Sequence, residues 1–294
     1  MFARDGLSAD LLEIDQAAPV CKPHGRGSFY DPDMNLLHLA FAASLAGSLL
    51  FACGFSAPSS SSTLGAPPSS LVPTPRTDEW AIAREKECIR RAKESAPAKV
   101  VFVGDSITQA WEDPGKAAWD KFIAPLGAVN LGNSGDRTEN VLYRLAQAPL
   151  TRLAPEHVFL LIGTNNLGHG TSNAAETLAG VQAVAELLVA QCPDATIHII
   201  EIFPRGEKFN AMRGDVLQIN QALRAWVPVA NSAITAKGRA SARAPLAIHA
   251  IGDAFVSPDG SISKDAMPDA LHLSPAAYET WAKAVAGVVG RSKS

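Results

Sequence analysis

Ser106 is the residue with the most chemistry to offer, because of what precedes it. In Lys99-Val100-Val101-Phe102-Val103-Gly104-Asp105-Ser106-Ile107-Thr108, four apolar residues run into a glycine, an aspartate and a serine. A buried strand that ends this way delivers one hydroxyl to the carboxyl edge of a parallel sheet, where open α/β sheets place their ligands. The hydroxyl is a candidate nucleophile. Near the C-terminus, Asp269-Ala270-Leu271-His272 sets a carboxylate three residues before an imidazole. Such a pair can share one hydrogen bond that fixes the imidazole tautomer and favours its charged form. A base so oriented is what a serine hydroxyl needs in order to attack a carbonyl carbon.

Two more stretches follow strand-like segments. Asn130-Leu131-Gly132-Asn133-Ser134-Gly135-Asp136-Arg137-Thr138 carries glycines that let the backbone approach a substrate and aim an N–H at it. Gly132 reads as an ordinary turn glycine. Leu161-Ile162-Gly163-Thr164-Asn165-Asn166 ends in two asparagines. The Asn165 amide can donate into the same cleft, whereas Asn166 fits a turn better. His157, His198 and His249 fall in strand-like stretches and read as structural. His169, in the loop after the third strand, is a candidate for the cleft rim.

These residues need a scaffold, and the alternation of patterns supplies one. Helices are expected over Asp78–Ser95, Gly115–Phe122, Thr138–Gln147, Ala174–Gln191 and Met212–Val229, the last stopping near Pro228. Strands are expected over Val100–Val103, Ala128–Leu131, His157–Ile162, Thr196–Ile202 and Leu246–Ile251. Ser274 caps a final helix with Pro275 at its first position and Trp281, Val285 and Val288 facing inward. Strands alternating with helices of this length predict a parallel sheet covered on both faces.

Hydrophobic residues make up 47% of the 294 residues, enough for a substantial core in the C-terminal two thirds. A formal net charge of -3 gives no basis for binding nucleic acid. Cys21, Cys53, Cys88 and Cys192 are too few for a disulfide framework and fall in no metal-ligand spacing. Residues 1–33 read as a disordered leader. Residues 34–56 read as a signal, lipoprotein or membrane anchor segment, since Leu36 to Phe55 carries no formal charge. Leu50-Phe51-Ala52-Cys53-Gly54 resembles a lipoprotein cleavage site, with Cys53 as the lipid-bearing residue and membrane tether. Against this stand Phe51, where a small residue is usual, and the lack of a Lys or Arg immediately upstream. Met34 is a second candidate start. Residues 57–76 read as a Ser/Pro-rich linker, and residues 77–294 as the folded domain.

Taken in order, Gly104-Asp105-Ser106, the glycine stretch, Gly163-Thr164-Asn165 and Asp269-Ala270-Leu271-His272 resemble the SGNH (GDSL-type) hydrolase superfamily. More narrowly, the chain resembles the type-I platelet-activating factor acetylhydrolase catalytic subunits and their bacterial relatives. That similarity rests on Val103 to Ser106, on Gly135-Asp136 with Thr138, Val141, Arg144 and Leu145, and on Gly163 to Asn166. It also rests on Pro204-Arg205-Gly206-Glu207-Lys208 with Asn210 and Arg213, on Phe255-Val256, Asp259-Gly260 and Ile262-Ser263, and on Asp269 to Leu273. It runs from about Glu79 to Val289.

The resemblance implies an α/β fold, a three-layer α/β/α sandwich with a five-stranded parallel, flavodoxin-like sheet. It implies a serine esterase acting on short, acetyl-type carboxylic esters through an acyl-serine, with no cofactor and no metal. Ser106 would be the nucleophile, His272 the base and Asp269 its partner. The backbone N–H groups of Ser106 and Gly135 and the side-chain amide of Asn165 would form the oxyanion hole. The substrate is a small acyl ester, on a sugar or a lipid. Export would place the enzyme in the cell envelope or periplasm, lipid-anchored or secreted, and would favour O-acetyl groups of carbohydrates; a cytoplasmic enzyme is the alternative. A lysophospholipase or thioesterase on longer chains, and a catalytically silent surface-binding domain, are the rival readings. A homodimer stays open, because close relatives in the family associate.

Overall fold

A computed structural model describes residues 66–95, 97–241 and 243–291. The expected leader, the anchor segment with Cys53, and residues 57–65 of the expected linker lie outside them.

Five strands form one sheet, all parallel, in the order β2-β1-β3-β4-β5: β1 (Val100–Gly104), β2 (Ala128–Gly132), β3 (His157–Leu161), β4 (Thr196–Ile200) and β5 (Leu246–His249). The helices are α1 (Glu79–Glu94), α2 (Ser106–Gln109), α3 (Lys116–Ala118), α4 (Thr138–Gln147), α5 (Thr164–Gly168), α6 (Ala174–Gln191), α7 (Ala211–Ala236) and α8 (Pro275–Arg291). Alternate strand residues face opposite layers. Val101, Val103, Val158, Leu160, Ile197 and Ile199 pack against α1, α4, α6 and α7. Val100, Phe102, Phe159, Leu161 and Ile200 pack against α8 and the α2–α3 region. This is the three-layer α/β/α architecture expected from the sequence. The chain leaves β1 for β2 on one side of the sheet and places β3 on the other. The loops that follow β1 and β3 therefore diverge, which opens a crevice at their carboxyl ends.

Aromatic packing holds α8 under the start of α2. Trp111 lies 4.7 Å from both Tyr278 and Trp281, centroid to centroid, and the Tyr278 hydroxyl donates to Ile107 O at 2.6 Å. Ser274 caps α8 as expected, accepting from the Ala277 N–H at 3.2 Å.

Three expectations need correction. The folded domain begins before Thr77. Residues 66–78 lie as a strap across α4 and α6, where Ser70 is buried and its Oγ donates to Glu176 O at 2.7 Å. The Thr74 N–H donates to Glu139 O at 3.1 Å, and Asn140 Nδ2 donates to Thr74 O at 2.9 Å. The strap buries little apolar surface, Ser70 being its one buried residue, so its order comes from hydrogen bonds to the domain, which its composition does not show. Helix α7 does not stop near Pro228 but runs through it to Ala236. Pro228 sits on the exposed face, where water can satisfy the carbonyl it leaves unpaired, while Val227 and Ala230 stay buried against the sheet. The expected helix over Gly115–Phe122 is broken into α3 and a π-helical turn, Trp119–Ile123.

His157, His198 and His249 are structural, as expected. They form a line across β3, β4 and β5, with 2.9 Å between His157 Nδ1 and His198 Nε2 and 2.9 Å between His198 Nδ1 and His249 Nε2. Burial pushes the His157 imidazole down to about 4 and the His198 imidazole to about 2. Unfolded, these groups take up protons near 6.5. Between those values the unfolded chain binds more protons, so stability falls as the solution is acidified below about pH 6.5. Replacing His198 with Gln removes one such proton. Urea unfolding at pH 7.5 and pH 5 is expected to show a shallower loss in His198→Gln, by up to about 1.4 kcal/mol per pH unit. Equal slopes for parent and variant would show that this imidazole is not held neutral.

Candidate active site

Backbone geometry at the end of β1 leaves no room for a side chain at residue 104. A Cβ on Gly104 would collide with Thr108 Oγ1 and Leu161 O. The chain then turns through Asp105, which caps α2 by accepting the Ile107 N–H at 3.0 Å. Ser106 is therefore the first residue of α2. Its N–H lies among the donors that a helix start leaves unpaired, and it has no partner among the described residues.

The other end of the chain brings an imidazole to it. Ser106 Oγ lies 2.9 Å from His272 Nε2, and His272 Nδ1 lies 2.6 Å from Asp269 Oδ2. Asp269 Oδ1 also accepts the backbone N–H groups of His272 at 2.7 Å and Leu271 at 3.0 Å. Partial burial works against the charge on Asp269, but the hydrogen bonds from His272 and Leu271 outweigh it and hold the carboxyl below its usual range. The partners assign the tautomer: His272 donates from Nδ1 to Asp269 and offers the Nε2 lone pair to the serine hydroxyl. Ala270 adopts a left-handed φ of 58° inside this loop, and its carbonyl accepts the Gly206 N–H at 2.8 Å.

A second wall comes from the loop after β2. The Asn133 N–H donates to Gly104 O at 3.1 Å, and the Ser134 N–H donates to Gln109 Oε1 at 2.8 Å, so this loop is tied to the turn that carries Ser106. The Gly135 N–H has no partner among the described residues. Asn165, buried at the start of α5, donates one N–H of its amide to Asp136 O at 2.9 Å. The other N–H of that amide has no partner among the described residues. Asn166 is instead fully engaged: it accepts the Thr138 N–H at 3.0 Å and faces Thr138 Oγ1, Glu139 Oε2 and Ser172 Oγ. It is structural, as its sequence position suggested. Asp136 is gripped from two sides. Arg144 Nη2 lies 2.7 Å from Oδ2, with both side chains almost completely buried, and Arg76 Nη1 lies 3.2 Å from Oδ1.

The structure thus joins Ser106, His272 and Asp269 in one hydrogen-bonded line and links Gly135 and Asn165 through Asp136. His169 is exposed. Its limited burial and the nearby Arg137, Arg76 and Arg205 guanidinium groups lower its pKa. Arg76 and Gln109 were not singled out from the sequence, and no local signal marks either. Among the described residues, no group of three or more His, Cys, Asp and Glu side chains is placed to hold a metal ion, and no helix is long and apolar enough to cross a membrane. What the arrangement can do is pass a proton from a hydroxyl to an imidazole beside unpaired N–H donors, the requirement for acyl transfer to serine.

Comparison with known proteins points the same way. Residues 102–280 match the GDSL-like Lipase/Acylhydrolase family. Over 202 residues the chain is 32% identical to the platelet-activating factor acetylhydrolase IB subunit alpha2 of Rattus norvegicus, covering 68% of this chain and 79% of that one. Over 188 residues it is 34% identical to the alpha1 subunit of Homo sapiens, covering 64% and 73%. Among solved structures, a GDSL-like lipase from Bacteroides thetaiotaomicron aligns with a TM-score of 0.51 at 20% identity, covering 73% of this chain and all of that one. A member of the lipolytic protein G-D-S-L family from Veillonella parvula aligns with a TM-score of 0.50 at 16% identity, covering 65% and 98%. The two structures share the fold.

Asp105 gives this site a measurable pH signature. Burial pushes its carboxyl up to about 7, against the pull of the Ile107 N–H, and its Oδ2 has no hydrogen-bond partner among the described residues. The unfolded chain releases this proton near 3.8 and the folded chain keeps it to about 7. Folding stability therefore falls as pH rises through that window. Asn at this position keeps the cap and cannot ionise. Asp105→Asn is expected to gain stability relative to the parent between pH 4 and pH 7.5, measured by chemical unfolding. A difference that stays constant with pH would rule out a raised Asp105 pKa.

Proposed function

The chain belongs to the GDSL-like lipase/acylhydrolase family and is a carboxylic ester hydrolase; on that premise we propose that it removes short acyl groups, acetyl above all, through an acyl-Ser106 intermediate. The observation that carries this reading is the unbroken line from Ser106 Oγ through His272 to Asp269. In the proposed mechanism His272 Nε2 takes the hydroxyl proton as Ser106 attacks the ester carbonyl, then gives it to the leaving alkoxide. Asp269 keeps the ring oriented and stabilises the imidazolium. The N–H groups of Ser106 and Gly135 and the free N–H of the Asn165 amide receive the charge that develops on the carbonyl oxygen. Water, deprotonated by the same imidazole, releases the acyl group.

The preference for acetyl is supported by the relatives, which are named acetylhydrolases. The uncharged stretch from Leu36 to Phe55 supports a place in the cell envelope, tethered through Cys53, where the acetyl group would sit on a carbohydrate. Hydrolysis of acetylated sugars, acetyl lipid esters and a series of longer acyl esters tests this. Acetyl esters are expected to turn over fastest, and a maximum at long chains would replace the acetyl reading with a lysophospholipase or thioesterase.

Two variants test the chemistry. Ser106→Ala is expected to lower kcat by on the order of a thousandfold or more with the fold intact. Unchanged turnover of a simple acetyl ester would sink the nucleophile assignment. Asn165→Ala is expected to lower kcat by about a hundred- to a thousandfold and leave KM nearly unchanged. A change confined to KM would remove Asn165 from the oxyanion hole.

A further inference from the structure

We infer that Arg76, on the N-terminal strap, sets the direction of the Gly135 N–H and is thereby a positioning residue for the oxyanion hole; the inference rests on the mechanism proposed above. Arg76 lies outside residues 102–280, which match the family, and outside every motif that pointed to the site.

The reasoning starts from one peptide plane. Ser134 O and the Gly135 N–H belong to the same planar trans unit and point to opposite sides of it. Whatever holds the carbonyl also aims the N–H. Arg76 Nη1 donates to Ser134 O at 2.7 Å, and among the described residues nothing else donates to that oxygen.

The guanidinium is itself fixed. Its Nη2 lies 2.9 Å from Asp78 Oδ2, its Nη1 lies 3.2 Å from Asp136 Oδ1, and its Cζ stands 5.2 Å from the centroid of the Trp80 ring. It also sits directly against residue 135: a Cβ there would come within 3.0 Å of both Nη1 and Nη2.

A turn closed like the one around this peptide has two allowed forms, type I and type II. This one spans Asn133 to Asp136 and is closed by the Asp136 N–H donating to Asn133 O at 3.1 Å. Turns with this closing bond interconvert by flipping their middle peptide, here Ser134–Gly135. Gly135 has φ of 74° while Ser134 does not have positive φ, which identifies the type II form. In the flipped form a carbonyl oxygen would occupy the direction the N–H now takes, and its lone pairs would face the developing oxyanion. The contacts from Gln109 to the Ser134 N–H and from Arg144 to the Asp136 carboxylate secure the two ends of the turn. Neither touches the middle peptide. Arg76 does, and only in the form that presents the donor. A charge-assisted bond to the carbonyl also polarises the amide and strengthens its N–H as a donor.

The test uses the full chain with Arg76→Ala, Arg76→Lys and Ser106→Ala. It measures hydrolysis of 4-nitrophenyl acetate and the affinity for a small alkylboronic acid, whose tetrahedral serine adduct occupies the oxyanion hole. Arg76→Ala is expected to lower kcat by roughly ten- to a hundredfold, less than the loss of a whole donor, with KM within about twofold. Boronate affinity is expected to weaken by the same factor, and Arg76→Lys, which keeps the charge but not the fork, is expected to fall between. If Arg76→Ala does not fold, as judged by its thermal transition, Arg76→Lys carries the same comparison alone. An unchanged kcat, or a loss of kcat with boronate affinity unaltered, overturns the role given to Arg76. A Ser106→Ala enzyme that stays active overturns the underlying mechanism instead.

Discussion

The 2.9 Å between Ser106 Oγ and His272 Nε2 spans 166 positions of chain, and the structure depends on keeping it. A hydroxyl is useful as a nucleophile only while a lone pair on the base faces it, which leaves a few tenths of an ångström of tolerance. Each partner is held by something stiffer than a loop. Ser106 stands at the end of a strand buried on both faces, at a turn that only glycine at 104 permits. His272 precedes Ser274, which caps α8, and α8 is locked below α2 by Trp111, Tyr278 and Trp281. The aromatic cluster therefore does more than contribute burial. It converts the position of one helix into the position of one nitrogen.

Electrostatics shapes the opposite wall in the same way. Asp136 is nearly completely buried between Arg144 and Arg76. A pair of that kind is expensive to desolvate and weak evidence for stability. Its effect here is directional. With its side chain gripped from two sides, Asp136 presents its own backbone carbonyl to the amide of Asn165 and closes the turn that carries Gly135. Two candidate donors from separate loops are thus referred to a single residue, whose own position is set by charge.

Most of the scaffold was legible because its signals are local. Strand β1 is a run of apolar residues ending in Gly104, α4 carries Val141, Leu142 and Leu145 on one face, and Ser274-Pro275 announces α8. Ser106, Asp269 and His272 could be singled out because each follows a strand or precedes a cap, positions where open sheets collect chemistry. What stayed hidden depends on contacts made elsewhere. Helix α7 continues past Pro228 because Val227 and Ala230 are buried against the sheet, which the local sequence does not state. Gln109 looks like any helix-end glutamine until its side chain meets the Ser134 N–H.

The strap is the clearest case, and it shows what a composition argument measures. Counting apolar residues in 66–76 asks whether the segment can order itself, and it cannot. The relevant question is whether the domain offers hydrogen-bond partners along the strap's path. It does: Glu139 O, Glu176 O and Asn140 Nδ2 all meet the strap, and Gly180 is the glycine that makes room, since a Cβ there would press on Thr138 and the carbonyl of Ser70. The polar surface of the sandwich thus orders a segment that has no core of its own. A segment held this way ends wherever its hydrogen bonds end, and here they end at Ser134 and Asp136, in the loop tied to the Ser106 turn. The part of the chain that looks most like a spacer is therefore continuous, bond by bond, with the wall of the crevice beside Ser106.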